Sequence, residues 1–300
     1  MNNLPTSSMF NLYKTRSFSE KFSVCTEWLS QNWKAFFKHF TLLILPFCII
    51  QGYFLKSVMQ IANGAGNGAN YMPTPSDMTN IALCYLITIV SSILASSFIF
   101  ALIKKTFIQH EKLQCLSFKE IWHTMKGLIG RYIIILIAAC IIISVCTIVL
   151  ILPSVASTYT LFITIPLLIV ITIALLPVLP IYLLTDEPII QAISHAFRLG
   201  FKCWWGFFTT LFVMSIFMGF IQVIGCIPTY AVSAINIIMK MSGTGTSIFV
   251  EFLNYLANVF MYFVSSATSL LIVLITCVQY GHAVMKIDKE EPLNIEDQIE

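Results

Sequence analysis

Six apolar blocks of about twenty residues constrain this chain more than any other feature. They run from Phe40 to Ile61, Ile81 to Ile103, Tyr132 to Leu152, Leu161 to Leu184, Phe207 to Gly225 and Val259 to Tyr280. A helix rises about 1.5 Å per residue, so about 20 apolar residues cross the ~30 Å hydrocarbon core of a bilayer. Only 10% of the 300 residues are charged, against about 25% in a soluble domain. That is too little charge to cover a surface facing water. The expected fold class is therefore all-α, a polytopic membrane protein with six transmembrane helices.

The segments between the blocks alternate in charge. Fifteen of the 17 Lys and Arg residues fall in residues 1–38, in Lys104–Arg131, after the fourth block (Arg198, Lys202) and in the tail (Lys286, Lys289). Lys56 and Lys240 are the exceptions. Basic loops stay in the cytoplasm, so both termini and the loops after spans two and four are expected there. No apolar core follows the first basic residues closely enough for a signal peptide, so the first span reads as a retained anchor. A net charge of +3 gives no reason to expect a nucleic-acid partner.

A pattern precedes spans one, three and five. Phe18, Phe22, Cys25, Leu29, Trp33, Phe36 and Phe37 share one helical face. So do Phe118, Ile121, Trp122, Met125, Leu128 and Ile129, and again Ile189, Ile193, Ala196, Phe197 and Phe201. Charged residues lie opposite, as on a helix resting at a membrane surface. Ser17-x-x-Glu20 and Ser117-x-x-Glu120 read as capping boxes, and Thr185-Asp-Glu-Pro188 as an acidic helix start. The expectation is three units, each a cytoplasmic amphipathic interfacial helix followed by a two-span hairpin. Along the chain these are a flexible tail (1–16), the first unit (17–103), the second with its cytoplasmic loop (104–184), the third (185–281) and an acidic cytoplasmic tail (282–300). The Gly-Cys-Ile-Pro stretch ending at Pro228 is expected to break the fifth helix. Residues 229–241 are then too short to cross the core and read as interfacial or re-entrant, with part of a seventh span as the minor alternative.

The stretch Asp186-Glu-Pro-Ile-Ile-Gln-Ala-Ile-Ser-His-Ala-Phe-Arg-Leu-Gly-Phe-Lys-Cys-Trp-Trp-Gly-Phe-Phe208 resembles a segment of a broad group of bacterial six-span membrane proteins. An acidic start there leads into an Ala-x-x-x-Ser/Ala-x-x-Leu helix and then an aromatic lead-in to the membrane. The group includes the membrane domain of some glycerophosphodiester phosphodiesterases and related uncharacterised inner-membrane families. The resemblance covers 23 residues and implies architecture and a bacterial plasma membrane. It does not imply phosphodiesterase activity, because that group's catalytic barrel is a separate soluble domain for which this chain has no room.

Chemistry is sparse. Spans two to five contain no Asp, Glu, Lys, Arg or His, whereas ionisable residues mark proton relays and ion paths in membranes. Four amides, Gln51, Gln222, Asn258 and Gln279, are candidates either for interhelical hydrogen bonds or for a polar substrate path. Pro177 and Pro180 are candidate hinge residues. Asp186, Glu187, His195 and Arg198 decorate the third interfacial helix. Ser194 and His195 are adjacent on that helix and do not face each other, so they make no triad with Asp186. The nine cysteines form no Cys-x-x-Cys pair, and the histidines show no metal-ligand spacing. No cofactor, metal or catalytic constellation is expected. The sequence points to a non-enzymatic membrane-organising or accessory protein, with a transporter or channel for a lipid or other amphipathic or uncharged substrate as the alternative. Membrane lipids are the expected partners, with a candidate protein partner at the cytoplasmic face. Nothing in the sequence sets an oligomeric state.

Overall fold

The computed structural model describes residues 10–66, 74–156, 158–185, 187–243 and 247–290. Within them all regular structure is helical: α1 (Phe18–Gly66), α2 (Pro75–Ile103), α3 (Phe118–Ala156), α4 (Leu161–Leu175), α5 (Val178–Leu184), α6 (Ile189–Lys202), α7 (Trp204–Met241) and α8 (Ile248–Glu290). Six stretches are long and apolar enough to cross a membrane: Phe18–Leu55, Pro75–Ile108, Phe118–Val149, Leu161–Leu184, Trp204–Met239 and Ile248–Ile287.

The helix starts follow from local sequence. At α1 the Ser17 N–H donates to Glu20 Oε2 at 2.7 Å, and the Glu20 N–H donates to Ser17 Oγ at 3.3 Å. At α3 the Ser117 N–H donates to Glu120 Oε2 at 2.7 Å. These are the expected capping boxes, and they satisfy amides that have no partner inside the helix. A third box was not read from the sequence. The Thr74 hydroxyl donates to Asp77 Oδ2 at 2.6 Å and accepts from the Asp77 N–H at 3.3 Å. With Pro75 at the first helical position, this starts α2 six residues before the expected Ile81.

Two expectations about helix breaks are corrected. The first two amphipathic segments are not separate helices, because α1 and α3 run unbroken from the capping box into the span. Nor does Pro228 end α7, which continues for 38 residues to Met241. Residues 229–241 are therefore neither re-entrant nor a separate span. The physical reason is the solvent: in an apolar medium every exposed backbone group is costly, so a helix keeps its remaining bonds past a proline. The third segment, α6, is a separate helix. It ends at Lys202, and Cys203 alone separates it from α7.

Two compact units partition the chain. The first comprises Met1–Ala35, Ser97–Met214 and Ile272–Glu300, and the second Phe36–Ser96 and Ser215–Leu271. They do not coincide with consecutive stretches of sequence.

In the first unit α3 packs on α4 and α5, and α6 packs on α4 and α5. Ile121, Met125, Leu128, Tyr132 and Ile135 form the buried stripe of α3, while Lys119, Glu120, His123 and Lys126 are exposed. On the part of α1 that belongs to this unit the buried residues are Lys21, Cys25 and Trp28. Trp28 is fully buried, and its indole N–H donates to Thr106 Oγ1 at 3.1 Å.

Residues 10–16, expected to be part of a flexible tail, are packed in this unit. Leu12 and Arg16 are buried. The backbone at Leu12 lies so close to Gly281 that a Cβ there would overlap the Leu12 carbonyl. The Arg16 guanidinium donates to the carbonyls of Leu12 (3.1 Å), Lys14 (3.3 Å) and Asn11, and its backbone N–H donates to His282 Nδ1 at 3.0 Å. Burial lowers the Arg16 pKa and raises that of Tyr13. Tyr13 stands edge-on to Tyr280, with ring centroids 6.2 Å apart.

Candidate functional site

The span formed by α4 and α5 breaks at its prolines. Pro177 has no N–H to give the Ile173 carbonyl, and the Leu176 N–H donates there instead at 3.2 Å. Pro177 caps α5, and Pro180 lies in that helix's first turn, where a missing N–H leaves no intrahelical bond unmade. The two candidate hinge residues thus sit at a real break. Against the same region rests α6, whose Gly200 faces the Ala174 carbonyl so closely that a Cβ would overlap it. The Trp204 indole donates to the Val170 carbonyl at 3.2 Å.

The face of α6 that makes this contact is Ala192, Ala196, Leu199 and Gly200, all buried. Small residues four apart let helix backbones approach closely. The apolar face read from the sequence was Ile189, Ile193, Ala196, Phe197 and Phe201, of which Ala196 lies in this contact. In the structure Ile190 is 79% exposed, Phe201 is 50% exposed, and Ile193 and Phe197 are half-buried. Gln191, Arg198 and Lys202 are exposed and His195 is half-buried on the remaining side. The helix therefore has three sectors, each about a third of its circumference: a small-residue face on protein, an open apolar face and a polar, basic face.

Its start is anchored from α3. Arg131 Nη2 donates to the Thr185 carbonyl at 2.9 Å and to the Glu187 carbonyl at 3.4 Å, and its guanidinium lies 4.6 Å from the Tyr182 ring centroid. Glu187 pairs with His195, Oε1 to Nδ1 at 3.2 Å. Asp186 lies outside the described residues. Arg198 sits on the polar sector.

The four amides are divided between the two units. Gln279 belongs to the first unit, where its Oε1 lies 3.4 Å from the donating Thr210 hydroxyl. Gln222 belongs to the second unit, and its Nε2 donates to Cys226 Sγ at 3.6 Å on the same helix. Gln51 and Asn258, also of the second unit, are 2% and 4% exposed. Gln51 Nε2 donates to Thr88 Oγ1 at 3.1 Å.

Contacts fix the register of these amides. A Cβ at Gly52 would meet Val259 at 2.7 Å, so their neighbours Gln51 and Asn258 flank one crossing point of α1 and α8. Gly225 faces Val264, and Val232 clusters with Ala257 and Val250. This pairing of α7 with α8 sets Thr229 level with Asn258. Among the described residues Gln51 Oε1, Asn258 Oδ1, Thr229 Oγ1 and Asn236 Oδ1 are buried without a hydrogen-bond partner. The second unit thus carries a buried polar layer around Gln51 and Asn258 that sequence reading found in part, with Asn236 about two turns beyond Thr229 along α7. Thr88, Thr229 and Asn236 were missed because short polar side chains on apolar helices give no periodic signal.

Among the described residues no three His, Cys, Asp or Glu side chains converge as metal ligands. Comparison with family models, curated proteins and solved structures gives no match.

Proposed function

We propose that this protein is a non-enzymatic membrane-organising protein that gathers anionic lipid around α6 in the cytoplasmic leaflet. The single observation behind this reading is the three-sectored α6. Its small-residue face holds it on the protein, its open apolar face suits acyl chains, and its basic face suits anionic headgroups. The start of α7, directly after α6, fits the same level: Trp205 is exposed, and indole rings favour the membrane–water interface. In this reading α6 is the interfacial helix and the spans pair as hairpins, with both termini cytoplasmic. The distribution of Lys and Arg supports that orientation. A bacterial plasma membrane rests on the resemblance carried by residues 186–208. The acidic residues after Asp288 offer a docking segment for a partner protein.

The test is lateral lipid sorting by the full chain in vesicles of phosphatidylcholine with a minor share of fluorescent phosphatidylglycerol. Energy transfer from protein to probe should exceed that expected for random mixing, and Arg198→Glu with Lys202→Glu should abolish the excess. Random mixing around the unaltered protein would refute the reading.

The polar layer around Gln51 and Asn258 supports a second reading, transport of a lipid or other uncharged or amphipathic substrate. Unpaired acceptors are costly in an apolar core, and a passing hydroxyl-bearing molecule would satisfy them. Lipid scrambling by the reconstituted chain, reduced by Gln51→Leu, would favour this reading over the first.

A further inference from the structure

A recess of about 240 Å³ lies where α2 ends, in the first unit. There the helix widens into a π-turn, Lys104–Ile108, whose carbonyl at Lys104 accepts from the Gln109 N–H at 3.0 Å. His110 follows with a φ of 56°, a left-handed conformation that L-residues rarely adopt. Such widened turns and strained residues gather at functional sites. The fold here turns the chain back so that Glu111 reaches Lys105 at 3.0 Å.

The lining divides by chemistry. Phe10 and Leu113 supply apolar wall. The Thr106 hydroxyl is occupied, accepting from Trp28 and donating to the Leu102 carbonyl at 2.8 Å. The Asn32 amide gives one N–H to the Trp28 carbonyl at 2.9 Å, and the Gln114 amide gives one to the Gln31 carbonyl at 3.1 Å. Each carboxamide carries a second N–H. The carboxylate of the lining, Glu111, is paired with Lys105, while His110 and Lys112 stand exposed at the rim. With Glu111 paired to Lys105, the Lys112 ammonium is the unbalanced charge of the lining, and the carboxamides of Gln31, Asn32 and Gln114 offer both N–H donors and carbonyl acceptors.

We propose that this recess binds the phosphate of a phospholipid headgroup. Its volume lies below the roughly 300–1,000 Å³ of pockets for drug-sized ligands. It holds a phosphate and a few attached carbons but no acyl chain. Its place is where an apolar span gives way to lysines, which is headgroup level. The placement rests on the membrane reading above; the ligand class rests on the recess itself.

The experiment is binding to the full chain in a phosphate-free maltoside detergent, read by native mass spectrometry. The probes are dihexanoyl phosphatidylglycerol, glycerol 1-phosphate and inorganic phosphate. One short-chain lipid should bind saturably per protein. Lys112→Glu should weaken it about tenfold, the loss expected when a charged hydrogen bond is removed. Gln114→Trp, which fills the recess without changing charge, should abolish it, and Lys126→Glu on α3 should leave it intact. Equal loss in Lys126→Glu, or full binding by Gln114→Trp, would overturn the proposal. Inorganic phosphate binding as tightly as the short-chain lipid would assign the recess to the free ion and overturn the headgroup assignment. Because the assay needs no bilayer, its failure is distinct from a failure of lipid sorting.

Discussion

A Cβ at Gly200 would overlap the carbonyl of Ala174, so α6 crosses α4 with backbone against backbone. The approach is possible because Ala192 and Ala196 continue the small-residue face toward the helix start. It also coincides with the Pro177 break, so the joint between α4 and α5 and the seat of α6 are one structural feature.

Gly200→Val should therefore destabilise the fold by about 1–3 kcal/mol, the usual cost of overpacking. Thermal unfolding of the full chain in detergent measures this. An unchanged midpoint would mean that α6 is not seated on Ala174.

The second close approach is between Gly281 and Leu12. Gly281→Ala should lift residues 10–16 off α8. Faster amide hydrogen exchange in that segment, with little change elsewhere, is the expected outcome. Arg16→Ala should act in the same direction, because it removes the donors that hold the carbonyls of Asn11, Leu12 and Lys14. Unaltered exchange in both variants would contradict the packing described.

Trp28 and Thr106 should behave as a coupled pair. Thr106→Val removes the acceptor of the indole N–H, and Trp28→Phe removes the donor. Together they should cost less than the sum of the single changes, by about 0.5–1.5 kcal/mol. Strict additivity in unfolding free energies would show that the 3.1 Å bond contributes nothing.

Buried acceptors without partners carry an unrecovered desolvation cost of about 1–3 kcal/mol each. Gln51→Leu removes one such oxygen together with the bond to Thr88, and interhelical bonds in membranes average only about 0.6 kcal/mol. The variant should be as stable as the parent or more so. A loss above 1 kcal/mol would show that Gln51 is fully hydrogen-bonded, through water or ligand.

The six spans were legible because uninterrupted apolar blocks have one physical solution in a bilayer. The stripe of Ile121, Met125 and Leu128 was legible because its neighbours Lys119, Glu120, His123 and Lys126 are polar or charged. Trp28 was not, since it stands between Glu27 and Leu29 and off the face that the phenylalanines mark. On α6 the large residues drew the eye to the face that stays open. The tight contact is made by Ala192, Ala196 and Gly200; Ala196 was on the face read from the sequence, while Ala192 and Gly200 are too small to give much hydrophobic signal. The Ala-x-x-x-Ser/Ala-x-x-Leu pattern of the family resemblance falls on Ala192, Ala196 and Leu199, which are that buried face. Pro228 misled because proline ends helices in water more firmly than in lipid. The π-turn after Ile103 and the left-handed His110 are closed by local backbone bonds, Gln109 to Lys104 and Glu111 to Lys105, which apolar periodicity does not mark.

The most direct test of the account is spin-label accessibility around α6 in the reconstituted full chain, with native cysteines replaced. Labels at Ile190→Cys and Phe201→Cys should collide with oxygen dissolved in the lipid and be shielded from a water-soluble nickel chelate. Labels at Gln191→Cys and Arg198→Cys should show the reverse, and Ala196→Cys should be shielded from both. Equal exposure of Ile190→Cys and Arg198→Cys to the nickel chelate would place the open apolar face in water and contradict the proposal that this helix gathers lipid.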